Sequence, residues 1–401
     1  MDLINLDKFQ CIAKYLMNKH LHIFTDEKWT NSVVKQFIKS GELNQEFVVL
    51  FKDNSQAQAP KYALNPHLPL IKIVINSEEY DVLISKIGNY SAVFIHYLCD
   101  LKFNLIEKVV KPTKLIWMCW GQDIHKMIIS DSYMPLTRKL IFQNGLWQEY
   151  IWKYTLWLRQ LKFPYSRRGE LLKKFDFCCP VIYHDLDQTN KKLNQKIKYL
   201  PFHYSTLEQI LGKIIDSKCN GSNILVGNSS SYASNHLDVF EILKRFDIDN
   251  RKVITPLNYG DMTYGNQIEA KGQDYFGENF VGLRQFLNAD EYSGFIQSCS
   301  VAIFNHIRQQ ALGNILICLW LGIRVYLNEK GSLFKYLKTL GLPIFSIQSD
   351  LVLGNDLVFQ NLNNEQHVNA KKILMAEFGK NNTNHLILNL FEELKNKKAS
   401  V

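Results

Sequence analysis

The feature of this sequence that most constrains its fold is a series of short, continuously apolar runs separated by longer amphipathic segments. A short run without polar alternation is typical of a strand covered on both faces, as in a parallel sheet. Amphipathic segments between such strands are typical of the connecting helices of βαβ units. The runs predicted as strands are Glu46–Phe51, Ile71–Ile75, Ala92–Leu98, Leu115–Trp120, Val181–Tyr183, Asn223–Gly227, Lys252–Pro256, Val301–Phe304 and Gly322–Leu327.

The amphipathic segments predict helices, and a polar stretch predicts a domain boundary. Asp187–Lys198 is mostly polar or basic, and a new series of strands and helices begins soon after it. Because 401 residues exceed the usual size of one domain, we expect two α/β domains, residues 1–200 and 201–401. The predicted helices are Asn235–Phe246, Asp290–Ser298, Asn314–Leu321 and Asn384–Lys398, the last of which ends in a basic tail.

The charge and the cysteine pattern narrow the function classes. The formal net charge of +9 suggests an anionic partner, and nucleic acid, a nucleotide or an anionic membrane surface would fit it; the alternative is a generally basic protein without such a partner. The sequence has no zinc-finger spacing, basic arm or RNA-binding motif, which argues against nucleic acid. The eight cysteines form no C-x-x-C pair, which indicates a reduced, cytosolic compartment. Met1–Lys19 lacks the apolar core of a secretory signal, and no run reaches the ~18 apolar residues of a membrane span, so we expect peripheral membrane contact only.

Small polar residues follow one predicted strand and precede a predicted helix. They include Gly227, Asn228 and Ser229, and either Ser234 or Asn235 is placed to cap the helix. Small residues allow backbone N–H groups to approach an anion, and a helix N-terminus favours negative charge. The pattern fits either a phosphate-binding turn or an ordinary strand-to-helix turn with a good cap.

A second group of polar residues follows another predicted strand and leads into an apolar helix. Open α/β sheets bind ligands at the carboxyl ends of their strands. Arg308 can grip a phosphate with its planar fork, and Gly313 and Asn314 can offer backbone donors at the helix start. An exposed surface loop is the alternative, but so many polar groups at one strand end favour a phosphate site. The group comprises Arg308, Gln309, Gln310, Gly313 and Asn314.

Two further strand ends carry candidate residues. Asp123 follows a Gly turn after an apolar run, where a carboxylate can act as general base, position a sugar hydroxyl or cap a helix. Tyr259 follows the predicted strand Lys252–Pro256 and is expected to line the same site as Arg308. His22, His96 and His203 lie in or near apolar segments and are predicted as core residues rather than catalysts.

The segment Leu146–Arg168 mixes aromatic and basic residues. Trp147, Tyr150, Tyr154 and Trp157 recur at the spacing of one helix face. Such a face suits the headgroup region of a membrane, and packing into the N-terminal core is the alternative.

Blocks in both halves of the chain together resemble glycosyltransferase family 56. L-V-G-N-S at Leu225–Ser229 precedes Ser234–His236, R-Q-Q-x-x-G spans Arg308–Gly313, and W-x-x-W-G-x-D spans Trp117–Asp123. The order and spacing of these blocks cover most of the chain from about Leu21 onward.

The resemblance implies a GT-B-like fold, in which two Rossmann-like domains face each other across a cleft. It implies a hexosyltransferase that moves an acetamido-dideoxyhexose, Fuc4NAc or a related sugar, from a dTDP-sugar to an undecaprenyl-diphosphate-linked saccharide. The implied pathway is enterobacterial common antigen or O-antigen synthesis, at the cytoplasmic face of the bacterial inner membrane. No metal or other cofactor is implied.

The resemblance also divides the site residues between the two domains. It places Asp123 on the acceptor side, in the N-terminal domain, and gives the nucleotide sugar to the C-terminal domain. Many GT-B enzymes bind the ribose through a Glu in a helix that corresponds to Ile315–Leu319, but this stretch has no carboxylate. The donor contacts that the resemblance implies are Gly227, Asn228, Ser229, Arg308, Gln309, Gln310, Gly313 and Asn314.

Sugar transfer sets the chemistry expected of these residues. Negative charge builds on the departing diphosphate, and we expect Arg308 to stabilise it. Asp123 is the candidate base if the anomeric configuration inverts, and would orient the acceptor if it is retained. The alternatives are a glycosyltransferase of the same fold with a different donor, or a non-catalytic GT-B-like assembly partner.

Overall fold

The structure is a computed structural model that describes residues 19–42, 44–62, 64–125, 132–142, 146–285 and 287–395. The described residues fall into two compact units. The first takes its residues from the ranges 1–128, 159–205 and 381–401, and the second from 129–158 and 206–380. The predicted division at residues 200 and 201 lies close to the crossing after residue 205, and its boundaries remain a prediction.

The described residues of the first unit contain a sheet of seven parallel strands in the order β3-β2-β1-β4-β5-β6-β7. The chain therefore starts in the middle of the sheet, builds towards one edge, and then returns to build the other. The strands are β1 (His20–Thr25), β2 (Gln45–Phe51), β3 (Leu70–Val74), β4 (Ala92–His96), β5 (Lys114–Met118), β6 (Phe177–Cys178) and β7 (Lys198–Tyr199).

The second unit repeats this arrangement with six parallel strands among its described residues, in the order β10-β9-β8-β11-β12-β13. This is the strand order of a Rossmann-type doubly wound sheet. The strands are β8 (Asn223–Val226), β9 (Val253–Pro256), β10 (Phe280–Leu283), β11 (Cys299–Phe304), β12 (Arg324–Leu327) and β13 (Ile344–Ser346).

Helices connect the strands of both sheets. None of the described helices combines the length and the apolarity that a bilayer crossing requires. The α-helices are α1 (Thr30–Lys39), α2 (Asn54–Gln58), α3 (Glu78–Lys86), α4 (Phe103–Lys108), α5 (Gln122–His125), α6 (Pro135–Ile141), α7 (Leu146–Lys162), α8 (Arg167–Leu172), α9 (Tyr183–Leu193), α10 (Leu207–Leu211), α11 (His236–Leu243), α12 (Met262–Phe276), α13 (Ala289–Gln297), α14 (Leu312–Leu321), α15 (Ser332–Thr339), α16 (Asn364–Phe378) and α17 (Lys380–Lys395). Short 3₁₀ turns occur at Ile87–Asn89, Asp100–Lys102, Phe163–Tyr165, Gly212–Asp216, Tyr232–Ser234 and Gly277–Asn279.

The central strands of the first sheet are buried along their whole length because apolar clusters cover both faces. Successive side chains of a strand point to opposite faces. Leu21 and Ile23 of β1 accordingly join one cluster, and Phe24 joins the other. Helix α17, near the C-terminal end of the chain, adds Phe391 to the cluster that contains Phe24. This double burial explains why the strands read as continuous apolar runs.

The structure corrects one predicted strand and adds others. Val181–Tyr183 is not a strand: the strand is β6, and α9 begins at Tyr183. Pro180 intervenes, and because proline has no backbone N–H it interrupts a ladder of hydrogen bonds. The other eight predicted strands overlap strands of the structure, and all four predicted helices overlap helices. Sequence analysis missed β1, in which two histidines interrupt the apolar pattern.

The buried histidines of the first sheet are core residues, as predicted. His22 Nδ1 lies 3.0 Å from His96 Nε2. The ring of His22 stacks on Phe94 and that of His96 on Phe24, with centroids 4.2 Å and 3.9 Å apart. Burial holds the pKa of both imidazoles well below its usual value, so both are neutral. His203 is also buried.

A segment from the first half of the sequence is part of the second unit. The Asn235 side chain, at the start of α11, accepts from the backbone N–H of Met134 at 2.8 Å and donates to the carbonyl of Asn305 at 2.8 Å. One turn later, Asp238 accepts from the backbone N–H and the hydroxyl of Thr137 at 3.1 Å and 2.9 Å. Two side chains of α11 therefore hold the start of α6.

Candidate functional site

The strand order of the second sheet brings two of the predicted motifs together. Strands β8 and β11 are neighbours, but the chain leaves β8 towards one edge of the sheet and β11 towards the other. A crevice forms outside the carboxyl ends of two such strands, and open α/β sheets bind ligands there. Gly227–Ser229 follow β8 directly, and Asn305–Asn314 follow β11.

Hydrogen bonds join predicted residues from three strand ends. Gln310 Nε2 donates to Asn228 Oδ1 at 2.9 Å and to Ser229 Oγ at 3.3 Å. Asn228 Nδ2 donates in turn to the hydroxyl of Tyr259, which follows β9, at 2.9 Å. The Tyr259 side chain remains 55% exposed. Four residues that are far apart in the sequence therefore form one polar network with an accessible aromatic ring.

Arg308 lies half-buried beside this network. Its Nη2 is 3.5 Å from Ser231 Oγ, a long hydrogen bond. No carboxylate in the described part of the chain forms a salt bridge with it, and burial lowers its pKa. A partly desolvated guanidinium without a carboxylate partner is suited to bind an anion, because an anion would supply the missing charge.

Helix α14 begins next to Arg308 with no side-chain cap. Its N-cap residue, Ala311, has a φ of +64° and makes no side-chain hydrogen bond to the helix. A Cβ atom added at Gly313 would meet nothing within 4 Å, so this side of the helix start is open. The Asn314 side chain donates to the hydroxyl of Tyr292 at 2.8 Å, which leaves its backbone N–H as its contribution to an anion site. Uncapped first-turn N–H groups attract anions.

Gly227 is required by the packing below the site. Its φ is +70°, a conformation that favours glycine, and an added Cβ would lie 2.3 Å from His236 Nε2. The His236 ring is fully buried, and its Nδ1 lies 3.0 Å from the Tyr264 hydroxyl. Burial lowers the pKa of His236 to about 3, so the ring is neutral. The predicted phosphate turn is therefore supported by a buried histidine.

Sequence analysis missed His306 as a member of this region. Its Nε2 lies 3.3 Å from Ser234 Oγ, and its side chain is buried. Burial, and secondly the charge of Arg308, lower its pKa to about 3. The histidine therefore gives Arg308 a neutral neighbour. Its position directly after a buried strand was the signal that could have identified it.

Asp123 belongs to the first unit and is fully buried at the end of β5. One oxygen accepts from the backbone N–H of Leu98 at 2.9 Å and from the Trp117 indole at 2.8 Å. The other accepts from the backbone N–H of Trp120 at 2.9 Å. A carboxylate enclosed by these donors cross-links the ends of two strands, and this geometry argues against contact with an acceptor hydroxyl.

The aromatic face of α7 is exposed rather than packed into a core. Tyr150, Tyr154, Trp157 and Leu161 follow each other at helical spacing and are 68%, 53%, 53% and 53% exposed. The alternative of core packing is therefore wrong for these residues. The side chain of Trp147 lies outside the described residues.

Trp152 lies apart from this exposed face. Its ring centroid is 5.4 Å from that of Phe142 and 6.1 Å from that of Tyr133. These contacts pack Trp152 against the segment that precedes α7.

The enzyme class of this protein follows from the family that its sequence matches. The family described as 4-alpha-L-fucosyltransferase, glycosyl transferase group 56, matches residues 149–390, which is more than half of the chain. This chain belongs to glycosyltransferase family 56. The match includes the whole of the polar network and Arg308, and the predicted resemblance is confirmed. A family 56 chain is a glycosyltransferase, and the class of enzyme is hexosyltransferase.

Solved structures that resemble this family 56 chain share its fold. The N-terminal domain of trehalose-6-phosphate phosphatase from Candida albicans superposes with a TM-score of 0.61 at 10% identity, covering 94% of this chain and 96% of that chain. A glycosyltransferase from Rickettsia africae ESF-5 gives 0.58 at 12% identity, with 95% and 99% covered. HepE from Anabaena gives 0.57 at 10% identity, with 94% and 100% covered. The fold is GT-B-like, as predicted, with two parallel-sheet α/β domains.

The enclosure of Asp123 predicts that it stabilises the first unit. In Asp123→Asn, an amide NH₂ would face the N–H groups that now donate to the carboxylate, and part of these buried donors would lose their acceptor. We therefore expect the free energy of unfolding to fall by about 1–3 kcal/mol. Urea denaturation would measure it, with Asp81→Asn on the exposed side of α3 as the matched control. Unchanged stability together with lost transfer activity would contradict the structural role and restore Asp123 as a catalytic candidate.

Proposed function

We propose that this glycosyltransferase moves Fuc4NAc or a related acetamido-dideoxyhexose from a dTDP-sugar to an undecaprenyl-diphosphate-linked saccharide. The reaction would serve bacterial surface polysaccharide synthesis, in the enterobacterial common antigen or an O-antigen, at the cytoplasmic face of the inner membrane. The observation that carries the proposal is the cluster of Arg308, Gln310, Asn228 and the open start of α14 at the switch point of the second sheet.

A nucleotide-sugar donor fits this cluster. HepE from Anabaena, which has the same fold, was determined with UDP, with UDP and glucose, and with UDP-glucose. In this chain, the diphosphate would lie against the first turn of α14, where backbone N–H groups and the helix dipole favour negative charge. The exposed ring of Tyr259 would line the same edge of the sheet.

The residues of the cluster account for departure of the nucleotide. As the bond between the anomeric carbon and the diphosphate oxygen breaks, its electron pair stays with the diphosphate. Arg308 and the N-terminus of α14 would offset this growing charge, so the proposal requires no metal ion. Because these groups are already in place before reaction, they add little reorganisation cost to the transition state.

The charge of Arg308 predicts a large loss of activity on truncation. We expect Arg308→Ala to lower kcat/KM for sugar transfer by about 10²-fold or more, the scale of losing one strong electrostatic donor. Arg308→Lys should recover part of the loss, and Arg245→Ala, at an exposed position of the second unit, should leave kcat/KM unchanged. Turnover of Arg308→Ala at the wild-type rate would remove the assignment.

The donor class has its own test. Thermal unfolding of the full chain would be followed with equal concentrations of dTDP, UDP and GDP. We expect dTDP to raise the Tm most, because at equal concentration the ligand that binds the native state most tightly stabilises it most. A larger Tm shift with UDP or GDP would favour the alternative of the same fold with a different donor. Donor binding without any sugar transfer would favour a non-catalytic partner.

A lipid-linked acceptor would keep the enzyme at a membrane surface, and the exposed face of α7 suits that location. Tyr150, Tyr154, Trp157 and Leu161 give it an aromatic and apolar stripe. Arg159 and Lys162 are exposed on the same helix and make no salt bridge with any residue that the structure describes. Aromatic rings lie at the headgroup level of a bilayer, and basic residues are attracted by anionic lipids at ~1 kcal/mol each.

Membrane docking through α7 predicts salt-sensitive binding to anionic vesicles. We expect the wild-type chain to co-sediment with liposomes that contain phosphatidylglycerol, and less so at high salt because salt screens the attraction. Tyr154→Ala/Trp157→Ala should reduce binding several-fold, whereas Val368→Ala, an exposed apolar position on α16, should not. Binding that is indifferent both to salt and to the double substitution would exclude this face.

A further inference from the structure

The first sheet has a switch point of its own that the donor site does not use. Strands β1 and β4 are neighbours, and the chain leaves them towards opposite edges of the sheet. The crevice outside their carboxyl ends is where an open α/β sheet binds a ligand. Asp26 and Glu27 follow β1, Tyr97 follows β4, and Trp120 follows β5 at the next strand end.

A buried cation fixes this edge of the sheet. The side chain of Lys102 is fully buried, and its Nζ donates to the carbonyls of His96 and Tyr97 and lies 3.5 Å from Thr25 Oγ1. These oxygens come from the ends of β1 and β4, so the ammonium ties the two strands together at the crevice. Its charge also attracts Glu27 and Asp123. A buried ammonium is costly unless it is paired and hydrogen-bonded, which these groups provide.

The two carboxylates that follow β1 differ in their hydrogen-bond partners. Asp26 accepts from the backbone N–H groups of Lys61 and Tyr62, so it holds a loop. Glu27 is partly exposed, and its carboxylate has no hydrogen bond or salt bridge with a residue among those that the structure describes. Desolvation raises the pKa of Glu27, and Lys102 opposes that shift. Glu27 therefore combines a partly exposed side chain with raised basicity, whereas Asp123 is fully buried.

Two further features of the crevice point to a ligand. Tyr97 has a φ of +58°, a conformation rarely adopted by residues with side chains and often found at functional sites. Trp120 Nε1 is buried and has no hydrogen-bond partner within the described ranges. Its ring centroid lies 6.1 Å from that of Tyr97. A buried donor without a partner next to aromatic rings suits a saccharide, whose hydroxyls accept hydrogen bonds and whose ring faces are apolar.

From this juxtaposition we propose that Glu27 is the catalytic base, and that the acceptor sugar binds at the β1–β4 crevice with Trp120 as a positioning donor. The inference rests on the proposed function. Glu27 takes the proton of the acceptor hydroxyl while the oxygen forms a bond to the anomeric carbon. The bond from that carbon to the diphosphate oxygen breaks, and its electron pair leaves with the nucleoside diphosphate. The proton on Glu27 is then lost to water, and the anomeric configuration is inverted.

The surroundings of Glu27 determine the expected pH dependence. The charged groups that act on its carboxylate are Lys102, Asp26, Lys61 and Asp123. A base must be deprotonated to act, so transfer declines as the pH falls through the pKa of Glu27. Because that pKa is raised, the acid limb of the pH–rate profile lies above the range of an exposed glutamate.

The test compares Glu27→Gln and Glu27→Asp with the exposed control Glu78→Gln on α3, using whichever nucleotide sugar the wild-type chain transfers. We expect Glu27→Gln to lower kcat/KM by about 10²–10⁴-fold, the usual contribution of a general base, and to abolish the acid limb. Glu27→Asp should recover part of the rate with a displaced limb. The nucleotide-induced Tm shift should be unchanged in every variant, and the product should have the inverted configuration by NMR.

Three results would overturn the assignment. The first is transfer by Glu27→Gln at the wild-type rate, and the second is a product with retained anomeric configuration. The third is reduced transfer in both Glu27→Gln and Glu27→Asp with the acid limb of the pH–rate profile unchanged. A wild-type chain that binds nucleotide but transfers no sugar would instead count against the proposed function. The Tm of each variant without nucleotide separates a lost base from a lost fold.

Discussion

Parallel pairing is the constraint on which this molecule depends. A parallel strand cannot be reached by a tight turn, so every connection crosses a face of the sheet before the next strand begins. The carboxyl ends of all strands in a parallel sheet therefore lie along the same side. From the two central strands, the chain continues towards opposite outer strands. Both sheets of this chain obey the same geometry. Glu27, Tyr97, Gly227 and Arg308, on which the proposed chemistry depends, all follow the carboxyl ends of strands in these sheets.

The two edges hold their positive charge in different ways, and the difference matches the chemistry proposed for each. Lys102 donates to the carbonyls of His96 and Tyr97 at the end of β4, so its charge is compensated within the protein. Among the described residues, Arg308 makes one long hydrogen bond and has neutral His306 beside it, so its charge is available to a ligand. The first arrangement holds the ends of β1 and β4 together beside Glu27, and the second favours an anionic leaving group.

Much of the fold could be predicted from the sequence because strands buried on both faces have an unmistakable apolar pattern. Strand β1 was not predicted because His22 interrupts that pattern. Only the structure shows that the His22 ring lies in the core, in contact with His96 and stacked on Phe94. In the second unit, the polar residues at the ends of β8 and β11 were predictable, since glycine, asparagine and arginine after a buried strand indicate a ligand site. The role of Asp123 could not be predicted in this way, because a sequence cannot show that the indole of Trp117 and nearby backbone N–H groups donate hydrogen bonds to its carboxylate.

The segment before α7 also determines which residues are needed to express the second unit on its own. The amide oxygen of Asn235 and the carboxylate of Asp238 accept hydrogen bonds from chain that lies about a hundred positions earlier. A gene fragment that starts at residue 201 would encode every described strand of the second sheet and still lack these donors, with the apolar side of α6 missing from the core. An independently expressed second unit would need residues 132–158 supplied as well, by a linker or by a permuted order of the chain.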